Sequence, residues 1–371
     1  MKILLCDNGM RGLLNFRGNV IHHFLSNGYE VVCVYPKVTH EDCLMDRVPK
    51  GCKCVQCSMV PTGMNPLADT KLFLELVKIY KREKPDIIFH YTIKPNVYGT
   101  FAARFCGIKS VAMVAGLGYM FNSNGLKQKI GRGLYKLGLN SADKVLTLNR
   151  YIFKKLIDVS FAKEEQLVLL KGGEGVDLKR FKYEKDRFDS IRFLMIARVL
   201  YDKGYSEYVE AARIVKKKYP DIGIFLLGQM DEASPMGVSK EVLNNDVESG
   251  LISYLGVSND VPSELCKSGT VIVLPSYHEG LSMSLIEACA SGRPIITTDI
   301  SGCRETVDNE INGFLVPVKN SDALADAMIR FIELVAEKKQ EMSKCSREKA
   351  ESTFDVKYVL DVYDELIKEL K

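Results

Sequence analysis

The chain has 371 residues, 46% of them hydrophobic, and 51 Lys and Arg against 47 Asp and Glu leave a formal charge of only +4. That length accommodates two domains, each with its own core, and so small a charge gives no argument for nucleic acid as a partner. The eleven cysteines are odd in number and mostly sit in apolar runs, as Cys6, Cys33, Cys106 and Cys289 do, which reads as reduced thiols in a cytosolic protein.

The chain opens with Met1-Lys2, a short apolar run and Asp7, too brief for a secretory signal and expected as a first strand. Short apolar or β-branched runs at 2–6, 30–35, 87–91, 110–114 and 144–148 alternate with segments of helical periodicity, a βαβ rhythm. Cys52, Cys54 and Cys57, with Cys43 nearby, lack the paired Cys-x2-Cys spacing of zinc ribbons and read as thiols on a loop and strand. His90 ends a buried run and is either a core histidine or one that reaches a cleft. The segment 125–140 places Leu126, Ile130, Leu134 and Leu137 on one helical stripe and Lys127, Lys129, Arg132 and Lys136 off it. It suits an anionic bilayer, with Met120 and Phe121 beside it, or a cover for the first sheet. No run reaches the roughly 18 apolar residues that span a bilayer, so any membrane contact is expected to be peripheral.

The Gly-rich, charged segment 171–180 has little apolar content and is the natural linker. After it the rhythm repeats, with runs at 191–196, 223–227, 252–255, 270–274 and 294–298. Two Rossmann-like α/β domains facing across a cleft follow from this.

Two short stretches of the second half carry the chemistry. Arg198 and Lys203 lie just past a strand end, where two cations can neutralise a leaving diphosphate; a solvated pair is the plain alternative. The segment 275–294, PSYHEGLSMSLIEACASGRP, follows a buried strand that Pro275 ends, and Ser282 or Ser284 can cap a helix carrying Leu285, Ile286, Ala288 and Cys289. Free N–H groups at that helix start would face an anion beyond the strand's carboxyl end. Glu279 in the loop and Glu287 in the helix, eight positions apart, can each hold a polyol on either side of a diphosphate, as the hexose and ribose of a nucleotide sugar require. A salt bridge is the alternative for Glu287, and His278 either touches the sugar or a phosphate or has no special part.

These stretches resemble the retaining glycosyltransferases of family 4, of GT-B fold. The E-x7-E signature comes with Pro275, Gly280, Ala288, Gly292 and Pro294 at the family's offsets. Ile196-Ala197-Arg198 with Lys203-Gly204, then Gly302, Glu305 and 312–317, resemble its basic loop and its later loop and strand. In the first half, Lys94-Pro95-Asn96 and 114–121 resemble enzymes that extend polyprenyl-diphosphate-linked oligosaccharides in bacterial O-antigen or N-glycan assembly.

The resemblance implies a retaining, metal-independent enzyme without a cofactor. It would move a hexose or N-acetylhexosamine, best matched by N-acetylgalactosamine in α1,3 linkage, from a UDP-sugar to a polyprenyl-diphosphate-linked saccharide. Front-face attack is the implied mechanism, and double displacement through a carboxylate is the alternative. Residues 1–170 would bind the acceptor and 171–354 the donor, with helix 355–371 packing back on the first domain, in a cytoplasmic protein at the inner face of the membrane. Arg198, Lys203 and Glu279 would be catalytic, with Glu287, His278, Gly280, Leu281 and Ser282 on the donor. Acceptor candidates are Gly9, Arg11, Gly12, Arg17, Lys94, Gly116 and Gly118; the last two stand where many relatives carry a sugar-contacting histidine. Two rivals are a silent binding scaffold, which the intact cation and glutamate set argues against, and a nucleotide-sugar epimerase or nicotinamide enzyme built on similar domains. Against the latter, Gly9 and Gly12 do not complete Gly-x-Gly-x-x-Gly.

Overall fold

A computed structural model describes residues 1–37, 42–61, 63–116, 125–186 and 188–371. The chain divides into two compact units, Met1–Glu174 with Val356–Lys371, and Gly175–Asp355.

In the first unit β1 (Lys2–Cys6), α1 (Met10–Ser26), β2 (Glu30–Pro36), β3 (Cys52–Cys57), α2 (Pro66–Glu83), β4 (Ile87–Tyr91), α3 (Thr100–Cys106), β5 (Lys109–Val114), α4 (Leu126–Ser141), β6 (Lys144–Thr147), α5 (Arg150–Asp158) and β7 (Leu167–Leu169) follow one another. The second unit runs β8 (Arg192–Ile196), α6 (Tyr205–Lys218), β9 (Gly223–Leu227), α7 (Lys240–Glu248), β10 (Ser253–Tyr254), α8 (Val261–Cys266), β11 (Thr270–Leu274), α9 (Met283–Ala290), β12 (Ile295–Thr298), β13 (Gly313–Val316), α10 (Ser321–Glu333) and α11 (Ala336–Lys349). Helix α12 (Val356–Leu370) then returns to the first.

Both sheets are parallel, with strand orders β3-β2-β1-β4-β5-β6-β7 and β10-β9-β8-β11-β12-β13. Central strands such as β1 and β11 are buried along almost their whole length, which is why they read as unbroken apolar runs. In each sheet the order reverses beside the first strand, between β1 and β4 and between β8 and β11. Such a reversal opens a crevice at the carboxyl ends of the two strands.

Helix α12 is held in the first unit by aromatic packing. The Tyr363 ring lies 5.0 Å from that of Phe89 and 5.9 Å from that of Phe24, its hydroxyl meets that of Tyr91 at 3.0 Å, and Asp364 accepts from His23 at 2.9 Å. His90 is a core residue: it is fully buried beside the Tyr80 hydroxyl at 3.0 Å, and burial pushes its pKa down to about 3, so the imidazole stays neutral. The cysteine-bearing strand β3 pairs with β2, and thiol hydrogen bonds and burial raise the Cys52 and Cys54 pKa values.

Helix α4 turns its leucine stripe inward only in part, with Leu134 packed on the core. Tyr135 and Leu139 enter the core with Val97, Ala112 and Val145, while Ile130 and Leu137 are 51% and 58% exposed. The reason is steric. Gly138 lets the helix approach the backbone of Asn96 and Val97 so closely that Tyr135 and Leu139 reach the core.

In the second unit, Asp186 and Arg293 form an ion pair of 2.5 Å at 2% and 1% exposure, and Asp186 also accepts from the Phe188 and Gly269 amides. Breaking a buried pair strands the remaining charge. Asp186→Ala should therefore lower stability by about 3–5 kcal/mol in chemical denaturation, and a loss below about 1 kcal/mol would contradict this.

Candidate functional site

The crevice of the second sheet lies where β8 and β11 end side by side, and the two segments singled out by their chemistry leave from those two ends. After β8, a single helical turn at Tyr201–Lys203 leads to Gly204 at φ 81°. A side chain at Gly204 would collide with the Pro275 carbonyl, so glycine lets the basic loop lie directly on the exit of β11. The two loops are then tied together. The Tyr277 amide donates to the Asp202 carbonyl at 2.9 Å, and the Tyr277 hydroxyl donates to both Glu207 oxygens at 2.7 and 2.8 Å. Gly302, at φ 86°, packs under the Glu279 and Gly280 carbonyls, where a Cβ would not fit.

This framework brings one predicted cation, Lys203, onto one predicted carboxylate, Glu279, while Arg198 pairs with Asp231 instead. Lys203 Nζ donates to Glu279 Oε1 at 2.7 Å, with the side chains 19% and 13% exposed. Arg198 donates to Asp231 Oδ2 at 2.9 Å and is 58% exposed. Each cation thus rests on a carboxylate. The exposed Arg198 pair is worth about 0–1 kcal/mol, little enough for an incoming anion to displace.

Helix α9 begins beside these groups. Ser282 occupies the N-cap position but its side chain makes no capping hydrogen bond; it meets Ser284 Oγ at 3.2 Å instead, and the first turn holds no acidic residue. The helix start therefore has no side-chain acceptor of its own, contrary to the capping expected from the sequence. Leu281 and Ser282 are buried, Gly280 half-buried, and His278 is exposed on the loop, its carbonyl accepting from Ser276 Oγ at 3.3 Å.

Glu287 is one turn into α9 and half-buried. Its carboxylate makes no side-chain hydrogen bond among the described residues, and desolvation pushes its pKa up to about 7 against the pull of Arg180. A carboxylate that has lost water without gaining a donor can accept hydrogen bonds from a ligand. Sequence reasoning missed Asp231, Arg180, Asp202 and Glu207. Nothing in their local sequence separates them from ordinary surface charges; only the strand order makes them neighbours of the site.

The first unit treats its candidates unequally. Gly9 is the extended N-cap of α1, whose first turn has neither a side-chain cap nor an acidic residue, and Gly12 packs against Asp7. Arg11 is exposed. Arg17 is not a solvent-facing cation, because it is 4% exposed, ion-paired with buried Glu174, and stacked 4.2 Å from the Tyr91 ring centre. Lys94 is likewise committed, to buried Asp69 at 2.7 Å. Gly116 is exposed at the end of β5, whereas Gly118, with Met120 and Phe121, lies outside the described residues. Among the described residues no group of three His, Cys, Asp or Glu is arranged to hold a metal.

Both halves of the chain are similar to known protein families. Residues 2–149 match the family model "Glycosyl transferase 4-like" and residues 177–349 match "Glycosyl transferases group 1". The chain is 29% identical over 351 residues, 90% of each chain, to the Campylobacter jejuni N,N'-diacetylbacillosaminyl-diphospho-undecaprenol alpha-1,3-N-acetylgalactosaminyltransferase. It is 26% identical over 74% of each chain to the Escherichia coli UDP-Gal:alpha-D-GlcNAc-diphosphoundecaprenol alpha-1,3-galactosyltransferase. Among solved structures, sucrose-phosphate synthase from Thermosynechococcus elongatus superposes over 100% of this chain and 99% of its own with a TM-score of 0.81 at 18% identity. Anabaena HepE in complex with UDP does so over the whole of both chains, with a TM-score of 0.79 at 17% identity. With a matching family model on each half and two parallel Rossmann-like units in the order such folds require, the chain is a group 1 glycosyltransferase of GT-B fold.

Proposed function

We propose that this chain transfers N-acetylgalactosamine, in α1,3 linkage and with retention of configuration, from UDP-N-acetylgalactosamine to a polyprenyl-diphosphate-linked saccharide at the cytoplasmic face of a membrane. The observation that carries the reading is the meeting of Arg198, Lys203, Glu279 and the uncapped start of α9 at the β8/β11 crevice. The donor diphosphate would take Arg198 from Asp231 and bridge Lys203 and the α9 amides. Charge on the departing UDP is then met by groups already in place, with little reorganisation as the bond breaks. Two cations and a helix start perform the neutralisation that a divalent ion performs elsewhere, so the reaction is expected to proceed without metal.

Glu279, freed in part from Lys203, would hold hexose hydroxyls and fix the anomeric carbon against the acceptor. Glu287 would accept from the ribose hydroxyls. The acceptor hydroxyl would lose its proton to a donor phosphate oxygen on the same face, which retains configuration. Acceptor contact in the first unit is assigned to the α1 start, where Arg11 is exposed, whereas Arg17 and Lys94 are buried. The acceptor class is supported by the activities of the Campylobacter jejuni and Escherichia coli relatives. Among the described residues no helix is long and apolar enough to cross a membrane, and the proposed membrane association is peripheral.

An assay that offers each common UDP-sugar with a synthetic polyprenyl-diphosphate saccharide should give acceptor-dependent UDP release and the added mass of one N-acetylhexosamine with UDP-N-acetylgalactosamine. Glu279→Ala should cut turnover by about 10²–10³-fold or more; near-normal turnover would remove its assigned role. For Glu287, a folded pKa of about 7 against an ordinary 4.5 means the folded state keeps the proton longer. Stability should then fall as pH rises between those values and level off above about 7. Glu287→Gln cannot ionise and should lose that part of the decline in thermal unfolding, whereas parallel profiles for the two proteins would contradict the desolvated carboxylate.

A further inference from the structure

Between β9 and α7 the chain makes an excursion, 229–238, that folds back against the basic loop after β8. Backbone hydrogen bonds fix it there. The Val199 amide donates to the Gln229 carbonyl at 3.0 Å, the Tyr201 amide donates to that of Met236 at 2.8 Å, and Leu200 bridges Gly237. Within the excursion the Ser234 amide donates to the Asp231 carbonyl at 3.1 Å, and the Gly237 amide to the Ser234 carbonyl at 2.8 Å. A side chain on Gly237 would run into the Asp231 carbonyl, so glycine closes the turn that carries Asp231.

Asp231 therefore meets Arg198 from a built position. Its side chain is short, and its backbone is tethered to the residues that follow Arg198, whereas most surface ion pairs join long side chains at an entropic cost. The contact uses one guanidinium N–H and one carboxylate oxygen, at 2.9 Å, with the side chains 58% and 33% exposed. It stops short of the two-bond fork that gives arginine its firm hold on a carboxylate. Two roles fit an acid beside a ligand-binding arginine, and they have opposite signs. An orienting acid stays on the arginine when the ligand binds, so its removal weakens binding. A competing acid must let go, so its removal strengthens binding. A single bond to an arginine more than half exposed leaves the guanidinium free to swing and does not fix its direction, which favours the second role.

We propose that Asp231 is a built-in competitor for the diphosphate: it recaptures Arg198 as UDP departs and so sets how fast the nucleotide product is released. The inference rests on the donor site proposed above and adds how that site is emptied after each transfer. It also gives the excursion a purpose. The tethered turn keeps a carboxylate within one side-chain swing of Arg198 at a fixed effective concentration, and release of product is a step that commonly limits turnover.

Calorimetry and stopped-flow binding of UDP and of uridine to the full chain test this without relying on transfer. Asp231→Asn keeps the size of the side chain and removes its charge. It should bind UDP about 3–5-fold more tightly, the scale of an exposed ion pair, with the gain in slower dissociation and with uridine affinity unchanged. Asp231→Ala should do the same. Glu232→Gln removes an equal charge one residue further on while keeping an acceptor for the Lys240 amide, and should leave UDP dissociation at the wild-type rate. Unchanged UDP binding in both Asp231 variants overturns the proposal, and so does weaker binding, which would make Asp231 an orienting group. A gain in association rate that Glu232→Gln reproduces also overturns it, because Asp231 would then be one more charge in the surrounding field. A wild-type chain that binds UDP no better than uridine loses the donor reading itself, whereas one that prefers UDP without a gain in the variants loses only this inference.

Discussion

The Lys203–Glu279 ion pair joins the loop after β8 to the loop after β11, and the rest of the proposed donor site is arranged around that join. Those strands are neighbours only because the sheet order reverses between them. Gly204 lies on Pro275, Gly302 lies under Glu279 and Gly280, and Tyr277 is tied to Asp202 and Glu207, so neither charged group depends on a long free loop for its position. Preorganisation of this sort is what electrostatic catalysis needs: donors fixed where charge will develop, with the cost of fixing them met during folding. In the unliganded chain Asp231 and Glu279 keep the two cations neutralised, and the proposed donor exchanges one set of anionic oxygens for another.

The two units use the same sheet order for different chemical ends. At the β8/β11 crevice the cations are at least partly accessible and paired with carboxylates that a ligand can displace. At the β1/β4 crevice Arg17 is sealed against Glu174 and Tyr91, where burial pushes the Glu174 carboxyl up against the pull of Arg17. That arginine holds the first unit together below its crevice and connects β4, α1 and the last residue before the second unit. A buried pair of this kind is expensive to break, which makes it a poor substrate contact and a good structural one.

Much of this was legible in the residues. Fully buried parallel strands are continuous apolar runs, so most central strands could be placed from hydrophobicity alone, and the sheet order sets the basic loop and the Glu279 loop at two neighbouring strand ends. Edge strand β7, three residues long and half exposed, has no such signature. The inward side of α4 stayed open between bilayer and sheet because periodicity ranks side chains by hydrophobicity, whereas Gly138 allows the close approach that brings Tyr135 and Leu139 into the core. Arg17 and Lys94 looked like available cations because their partners, Glu174 and Asp69, are 157 and 25 positions away in the chain. Asp231 was invisible for the same reason.

The central claim is that Arg198 and Lys203 are held ready for a diphosphate, and calorimetric binding of UDP and of uridine tests it most directly. The wild-type chain should prefer UDP by about 100-fold or more, the worth of two charge-assisted hydrogen bonds of about 1.5 kcal/mol each. Replacing both residues by Met should remove most of that preference and leave uridine binding intact. Equal preference for UDP in the double variant would contradict the account, because the diphosphate would then be held by groups other than these two.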